Sequence, residues 1–180
     1  MQVAILSDIH DNLWNLAAAL QFIEGRAAVM LCCGDLCSPF VIDQLARFPG
    51  ETHIVFGNND ADLFRITAKA AAHPRLHLHG EFYSATLGSR RVAMNHFDYL
   101  ARPIALSGQY DLVCFGHNHE LELTQERDCL LLNPGTIMGA KFTTGKWQDT
   151  EPTFAIYDTS SHRAQIYTID LKTRSVETRS

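Results

Sequence analysis

The stretch VAILSDIHDN, residues 3–12, begins with four apolar residues and breaks off at Ser7 into Asp8-Ile9-His10-Asp11-Asn12. A short apolar run bounded by polar residues reads as a buried strand, and Asp-x-His at its end delivers two metal-capable side chains to the rim of a sheet. The same punctuation recurs along the chain. Ala28–Cys33 is followed by Gly34-Asp35, His53–Phe56 by Gly57-Asn58-Asn59-Asp60, Arg91–Asn95 by His96, and Leu112–Phe115 by Gly116-His117-Asn118-His119. In open α/β sheets ligands gather at the carboxyl ends of strands, so these five ends can share one crevice. The glycines are expected to let the backbone turn sharply as it leaves the sheet.

Taken singly, each block has a plainer reading. Asp8 and Asp35 suit helix N-caps or turns, Gly57-Asn58-Asn59-Asp60 suits a turn with a cap, and His96 suits a hydrogen-bonded, half-buried imidazole. Five independent coincidences at five strand ends are harder to accept than one shared site. A contrast lies in HPRLHLHG, residues 73–80, where His73, His77 and His79 cluster with no accompanying carboxylate or glycine turn. These read as surface histidines, with His53 and His162 also outside the site.

Composition bounds the function classes. The 180 residues carry 46% hydrophobic and 19% charged side chains and no low-complexity tract, as a folded globular chain does. A net charge of −5 argues against a broad basic surface for long nucleic acid, while leaving room for phosphate chemistry served by bound cations. Val3–Leu6 is too short for a signal-peptide core or a membrane span, which makes the cytoplasm the expected compartment. Five cysteines, Cys32, Cys33, Cys37, Cys114 and Cys129, lack paired C-x-x-C spacing and read as buried reduced thiols.

No repeat and no linker divides the chain, so 1–180 reads as one domain. Strand and helix patterns alternate first: Val3–Leu6, a helix from an Asn12 cap through Leu20, Ala28–Cys32, a helix from Ser38-Pro39 through Leu45, His53–Phe56, and a helix from Asp60 to about Ala72. Short strands follow at Phe82–Leu87, Arg91–Asn95, Leu112–Phe115, Cys129–Leu132, Thr153–Tyr157 and Ala164–Ile169, with one helix near Tyr99–Leu106. Ala140–Glu151 is polar without periodicity and reads as a loop, and Lys172–Ser180 as a strand end or frayed tail. This order suggests two packed sheets with helices outside.

The series D-x-H, G-D, G-N-x-D, H, G-H-x-H resembles the signature of the calcineurin-like metallophosphoesterase superfamily. The trailing Asn133-Pro134-Gly135-Thr136 and the short length are similar to its small bacterial and archaeal phosphodiesterase branch. The resemblance implies an α/β fold, a four-layer α-β-β-α sandwich of two packed mixed sheets flanked by helices. It also implies two divalent transition metals. Asp8, His10 and His119 would hold one, Asn58, His96 and His117 the other, and Asp35 would bridge them. Mixed carboxylate, amide and imidazole donors suit manganese, iron, zinc, cobalt or nickel better than magnesium or calcium, and manganese heads the set.

The activity so implied is hydrolysis of small phosphodiesters by a metal-bridging hydroxide, with Asp35, Asn59 and His96 as catalytic positions. Many larger relatives carry histidine where this chain has Asn59; an amide donates a hydrogen bond to a phosphoryl oxygen but delivers no proton. Slow turnover of poor leaving groups is therefore expected. Phe64, Arg65, Phe97, Tyr99 and Arg102 follow ligand blocks and are candidates for the cleft wall, Asn59, Arg65 and Arg102 as substrate contacts. Two other readings stand beside this one: a phosphomonoesterase or nucleotidase with the same centre, and a catalytically weak binding scaffold of the same fold. A homodimer is compatible with the branch, though no periodicity requires one.

Overall fold

Strand β1 (Gln2–Leu6) is buried on both faces from Val3 onward, which is why its apolar run is continuous and not alternating. The computed structural model describes residues 1–179. After β1 come α1 (Leu13–Ile23), β2 (Val29–Cys32), α2 (Val41–Leu45), β3 (Glu51–Ile54), α3 (Leu63–Ala70) and β4 (Leu76–Leu78). Then follow β5 (Phe82–Leu87), β6 (Arg90–Asn95), α4 (Asp98–Leu106), β7 (Leu112–Cys114), β8 (Leu121–Glu126) and β9 (Cys129–Pro134). The chain ends with β10 (Ala140–Thr143), β11 (Lys146–Asp149), β12 (Thr153–Asp158), β13 (Arg163–Ile169) and β14 (Val176–Thr178).

One mixed sheet has seven strands in the order β14-β13-β12-β1-β2-β3-β4, the other five in the order β5-β6-β7-β9-β8. Their facing sides share a core in which Val3, Ile5, Leu31 and Tyr157 of the larger sheet meet Val92, Met94, Leu112 and Leu132 of the smaller. On the outer side of the larger sheet, Leu16, Ile23, Ile42, Leu45 and Ile66 bring α1, α2 and α3 against Ala4, Leu6, Met30 and Ile54. Helix α4 covers the smaller sheet through Ala101 and Ala105, packed on Ala93, Val113, Phe115 and Leu131. The result is the expected four-layer α-β-β-α sandwich. Truncating a fully buried residue such as Leu31 to alanine costs about 2–5 kcal/mol. No helix among the described residues is long and apolar enough to cross a membrane.

Three local expectations change. Ala140–Glu151 is not a loop: β10 and β11 pair as a hairpin outside both large sheets, with Thr143 opposite Lys146. Its two-residue turn, Thr144-Gly145, has positive φ at both positions (52° and 78°), the geometry that matches strand twist. Ser38 does not cap α2, whose N-cap is Phe40 without a side-chain bond; the Ser38 hydroxyl instead donates to Asp11 at 2.7 Å. Asp60 does not start α3 either; Asp62 caps it, accepting from the Arg65 amide. Asn12 caps α1 as expected, and the tail pairs as β14, Ser180 lying outside the described residues.

Candidate metal centre

Parallel pairing of β1 with β2 and of β2 with β3 points their carboxyl ends in one direction, and β6 and β7 of the facing sheet do the same. The polar residues that follow therefore meet at one rim. Ligand atoms of Asp8, His10, Asp35 and His119 all lie within 4.8 Å of one another. The Asn58 Oδ1 atom lies 3.1 Å from His96 Nε2 and 2.8 Å from His117 Nδ1. One Asp35 oxygen touches both groups, at 3.3 Å from His10 Nε2 and 3.4 Å from His96 Nε2. All the donors read from the sequence thus share one site.

The backbone there is held in conformations that side chains rarely adopt. Asp8, His10, Asp35, His117 and His119 all have φ between 42° and 75°, strain of the kind that surrounding structure must enforce. The glycines serve differently than expected at two positions. Gly57 and Gly116 do not have positive φ; they are needed for space, because a Cβ at Gly57 would collide with the Asp35 carboxylate and one at Gly116 would lie 2.6 Å from Asp8 Oδ2. Only Gly34, at φ 99°, provides the sharp turn.

Outer contacts orient the inner donors. The Nδ1 atoms of His96 and His119 face the carbonyls of Cys33 (2.7 Å) and Ala140 (2.6 Å), and that of His10 faces Cys37 Sγ (3.4 Å). This anchoring leaves each Nε2 aimed inward. The Asn133-Pro134-Gly135-Thr136 segment forms the floor: the Asn133 amide donates to the Gly116 carbonyl, and the Thr136 hydroxyl donates to the Asp8 carbonyl. Asp11 accepts from the Ser38 amide and hydroxyl, tying the loop after Asp35 to the loop after β1.

A residue missed in the sequence is Asp60. Its two oxygens accept from the amides of Asp35, Leu36, Cys37 and Gly57, so one buried carboxylate fixes both the Asp35 loop and the Asn58 loop. Burial raises its carboxyl above the usual range, and the backbone donors offset this only in part. The signal was present as the last position of G-N-x-D, where a helix start was the competing reading.

Electrostatics divide the site cleanly. Burial disfavours charge on Asp35, yet His10, His96 and the Asn59 amide outweigh it and hold that carboxyl well below its ordinary range. Asp8 is likewise lowered despite burial, through His10 and His119. Burial acts to lower His10, but Asp35 and Asp8 raise it to about 11, and His96 is raised in the same way. Two buried carboxylates that draw positive charge onto neighbouring imidazoles are also the field a divalent cation meets. The donor set and its convergence therefore fit metal binding.

The cleft above the donors has a volume of about 660 Å³ and is lined by His10, Asn58, Asn59, His117 and His119 together with residues of β10 and β11. Arg65 and Arg102 are not among the lining residues. Arg65 is 76% exposed and pairs with Asp62, while Arg102 is held by both oxygens of Glu122 at 3.0 and 2.6 Å. Phe64 and Tyr99 stand exposed, and Phe97 alone of the five wall candidates packs against site imidazoles, His96 and His117. Each arginine follows a ligand block in sequence, but a nearer carboxylate claims it.

A two-sheet sandwich that collects carboxylate, amide and imidazole donors at its strand ends defines the metal-dependent phosphoesterases of this architecture. The calcineurin-like phosphoesterase superfamily domain matches residues 1–162, and the chain belongs to that superfamily, a family of phosphoric ester hydrolases. Within it, the chain groups with the small archaeal and bacterial branch. It is 28% identical to a phosphodiesterase of Methanocaldococcus jannaschii over 162 residues, 88% of this chain and 93% of that protein. A solved archaeal phosphodiesterase superposes with a TM-score of 0.82 at 26% identity, over 94% of this chain and 100% of that one. Vacuolar protein sorting-associated protein 29 of Schizosaccharomyces pombe is 24% identical over 164 residues, 88% of this chain and 84% of its own length.

Proposed function

We propose that this chain is a metal-dependent phosphodiesterase acting on small phosphoesters, residues 1–180 forming one catalytic domain. The observation that carries the reading is the Asp35 oxygen placed between His10 and His96, since a carboxylate shared by two donor groups is what a paired-cation centre requires. Asp8, His10 and His119 would hold one cation and Asn58, His96 and His117 the other, with manganese, iron, zinc, cobalt or nickel suited to such donors. When bound, the cations supply an activated water near neutral pH and positive charge opposite the phosphoryl oxygens.

The protein's own groups do the rest. Asp60 sets the Asp35 and Asn58 loops, and the anchored imidazoles keep their geometry without rearranging during turnover. The Asn59 amide donates to Asp35 Oδ2 at 2.8 Å, so its first duty is to orient the bridging carboxylate. Its side chain also borders the cleft, where its remaining amide hydrogen is available to a phosphoryl oxygen. No group at that position delivers a proton, so esters with good leaving groups are the preferred substrates. The alternative of a scaffold without chemistry is disfavoured by the complete donor set.

The test is hydrolysis of a chromogenic phosphodiester beside the matching monoester, using metal-stripped protein reloaded with Mn²⁺ and Asp35→Asn as control. Metal-dependent diester turnover that disappears in the variant supports the reading. Faster monoester turnover points to the phosphomonoesterase, and no turnover of either ester with any transition metal overturns both.

A further inference from the structure

Two large aromatic side chains, paired with each other, stand largely exposed at the cleft. Phe142 and Trp147 lie directly opposite in the β10–β11 hairpin, their ring centroids 5.4 Å apart in an edge-on pair. They remain 61% and 58% exposed. Such a cross-strand pair stabilises a hairpin, yet that duty does not require both rings to border the cavity that holds the metal donors. The hairpin is also tied directly to the centre. The Ala140 carbonyl at its start orients the His119 ring, and the Trp147 ring lies 6.5 Å from that imidazole. A phosphoryl group seated beside His119 would place one ester arm against the indole.

Charge narrows what that arm can be. Asp98 and Glu120 border the cleft, and no lysine or arginine is among its lining residues. The nearby Lys141 pairs with Glu120 at 3.2 Å. Beyond the metal donors, a second phosphate on the substrate would meet Asp98 and Glu120 with no lysine or arginine in the lining to receive it, whereas a flat uncharged ring would meet exposed aromatic surface.

From this geometry we infer that Phe142 and Trp147 form an aromatic clamp selecting phosphodiesters with a flat, uncharged aromatic arm, nucleosides above all. The inference rests on the phosphodiesterase reading of the adjoining centre and names its substrate class. Stacking on such rings tolerates any base, so the clamp selects a nucleoside without selecting its identity.

Two measurements test it, chosen so that failure of the chemistry and failure of the clamp give different results. The first compares thymidine 5′-(4-nitrophenyl phosphate) with ethyl 4-nitrophenyl phosphate on Mn²⁺-loaded protein. The leaving group is the same, so only the retained arm differs. The kcat/KM ratio is expected to favour the nucleoside by roughly tenfold or more, mainly through KM, and to fall toward unity in Trp147→Ala and Phe142→Ala. Retention of the preference in Trp147→Phe would show that an aromatic face is what matters. The second measurement needs no hydrolysis: adenosine is titrated into a Trp14→Phe protein, in which Trp147 is the remaining tryptophan. Saturable quenching by adenosine and none by ribose is expected. Ester turnover with no arm preference, or fluorescence unmoved by adenosine, overturns the clamp. Quenching without turnover of any ester sustains the clamp and overturns the proposed chemistry.

Discussion

Two regions of this molecule concentrate histidines and treat them in opposite ways. At the cleft, His10 is raised to about 11 and His96 is raised, because Asp8 and Asp35 outweigh burial. At the far edge of the larger sheet, formed by β3 and β4, His53 and His79 pack on Tyr83 and His77 stacks on His53. There burial, together with the neighbouring imidazoles, lowers His53 to about 4, and His79 is lowered as well. The His53 and His79 nitrogens approach to 3.0 Å, much as His10 and His119 do at 3.1 Å. Proximity of imidazoles is thus common to both regions, and the carboxylate is what separates them. The one acid at the edge, Glu51, is taken by His77 at 2.6 Å and stands half exposed. Buried anions make the first cluster attract positive charge; without them the second repels it.

The largest effect expected from this contrast is at Asp35. Asp35→Asn keeps the shape but removes the shared anion, and turnover of an activated diester should fall by on the order of 10²–10³-fold, with metal content reduced. His53→Gln should leave both unchanged. Equal losses in the two variants would erase the distinction between the regions, and assays of kcat with elemental analysis decide it.

Asp60→Asn comes next. It leaves every donor in place but weakens the four-amide cradle under Asp35 and Asn58, so metal affinity should drop by roughly 10–100-fold. Conservative replacement with Glu is not expected to restore the geometry. Metal titration by calorimetry reads this directly; unchanged affinity would mean that the loops hold themselves.

The edge cluster should reveal itself through pH. His53 has a folded value near 4 against an unfolded 6.5, so the folded state binds fewer protons between them. Its contribution is present above pH 6.5 and is lost as pH falls toward 4, a loss of roughly 1–2 kcal/mol after allowing for its partial exposure. In chelator, wild-type protein should lose several degrees more of Tm between pH 7.5 and pH 4.5 than His53→Gln does. Parallel pH profiles would show that the cluster is silent.

Smallest of all are the surface arginines. Arg65→Ala and Arg102→Ala should each keep diester kcat/KM within about twofold, since both side chains are engaged by carboxylates outside the cleft. A larger loss on removing Arg102 would mean that its Glu122 pair opens to reach substrate, and would redraw the cleft wall.

How much of this was legible before folding can be judged residue by residue. Apolar runs and glycine breaks are local features, so the strands, their ends and the donors from Asp8 to His119 stand out in order. The β10–β11 hairpin did not, because its residues are largely exposed and lack the alternation that burial imposes; Thr144-Gly145 was its one signal. Asp60 looked like a helix start because a capping carboxylate and a loop-binding carboxylate carry the same local sequence.

The sequence by itself determined which strands carry the donors, the chemistry of those donors and the absence of a proton donor at Asn59, all properties of short segments. Tertiary structure alone decided that Asp35 lies between two imidazoles, that Asp60 binds amides up to 25 residues away, and that Phe142 and Trp147 overhang the cleft. It also decided that Arg65 and Arg102 turn elsewhere. The physical reason is that a side chain's partner is whichever complementary group packing brings nearest, and that competition is settled only when distant segments share one rim.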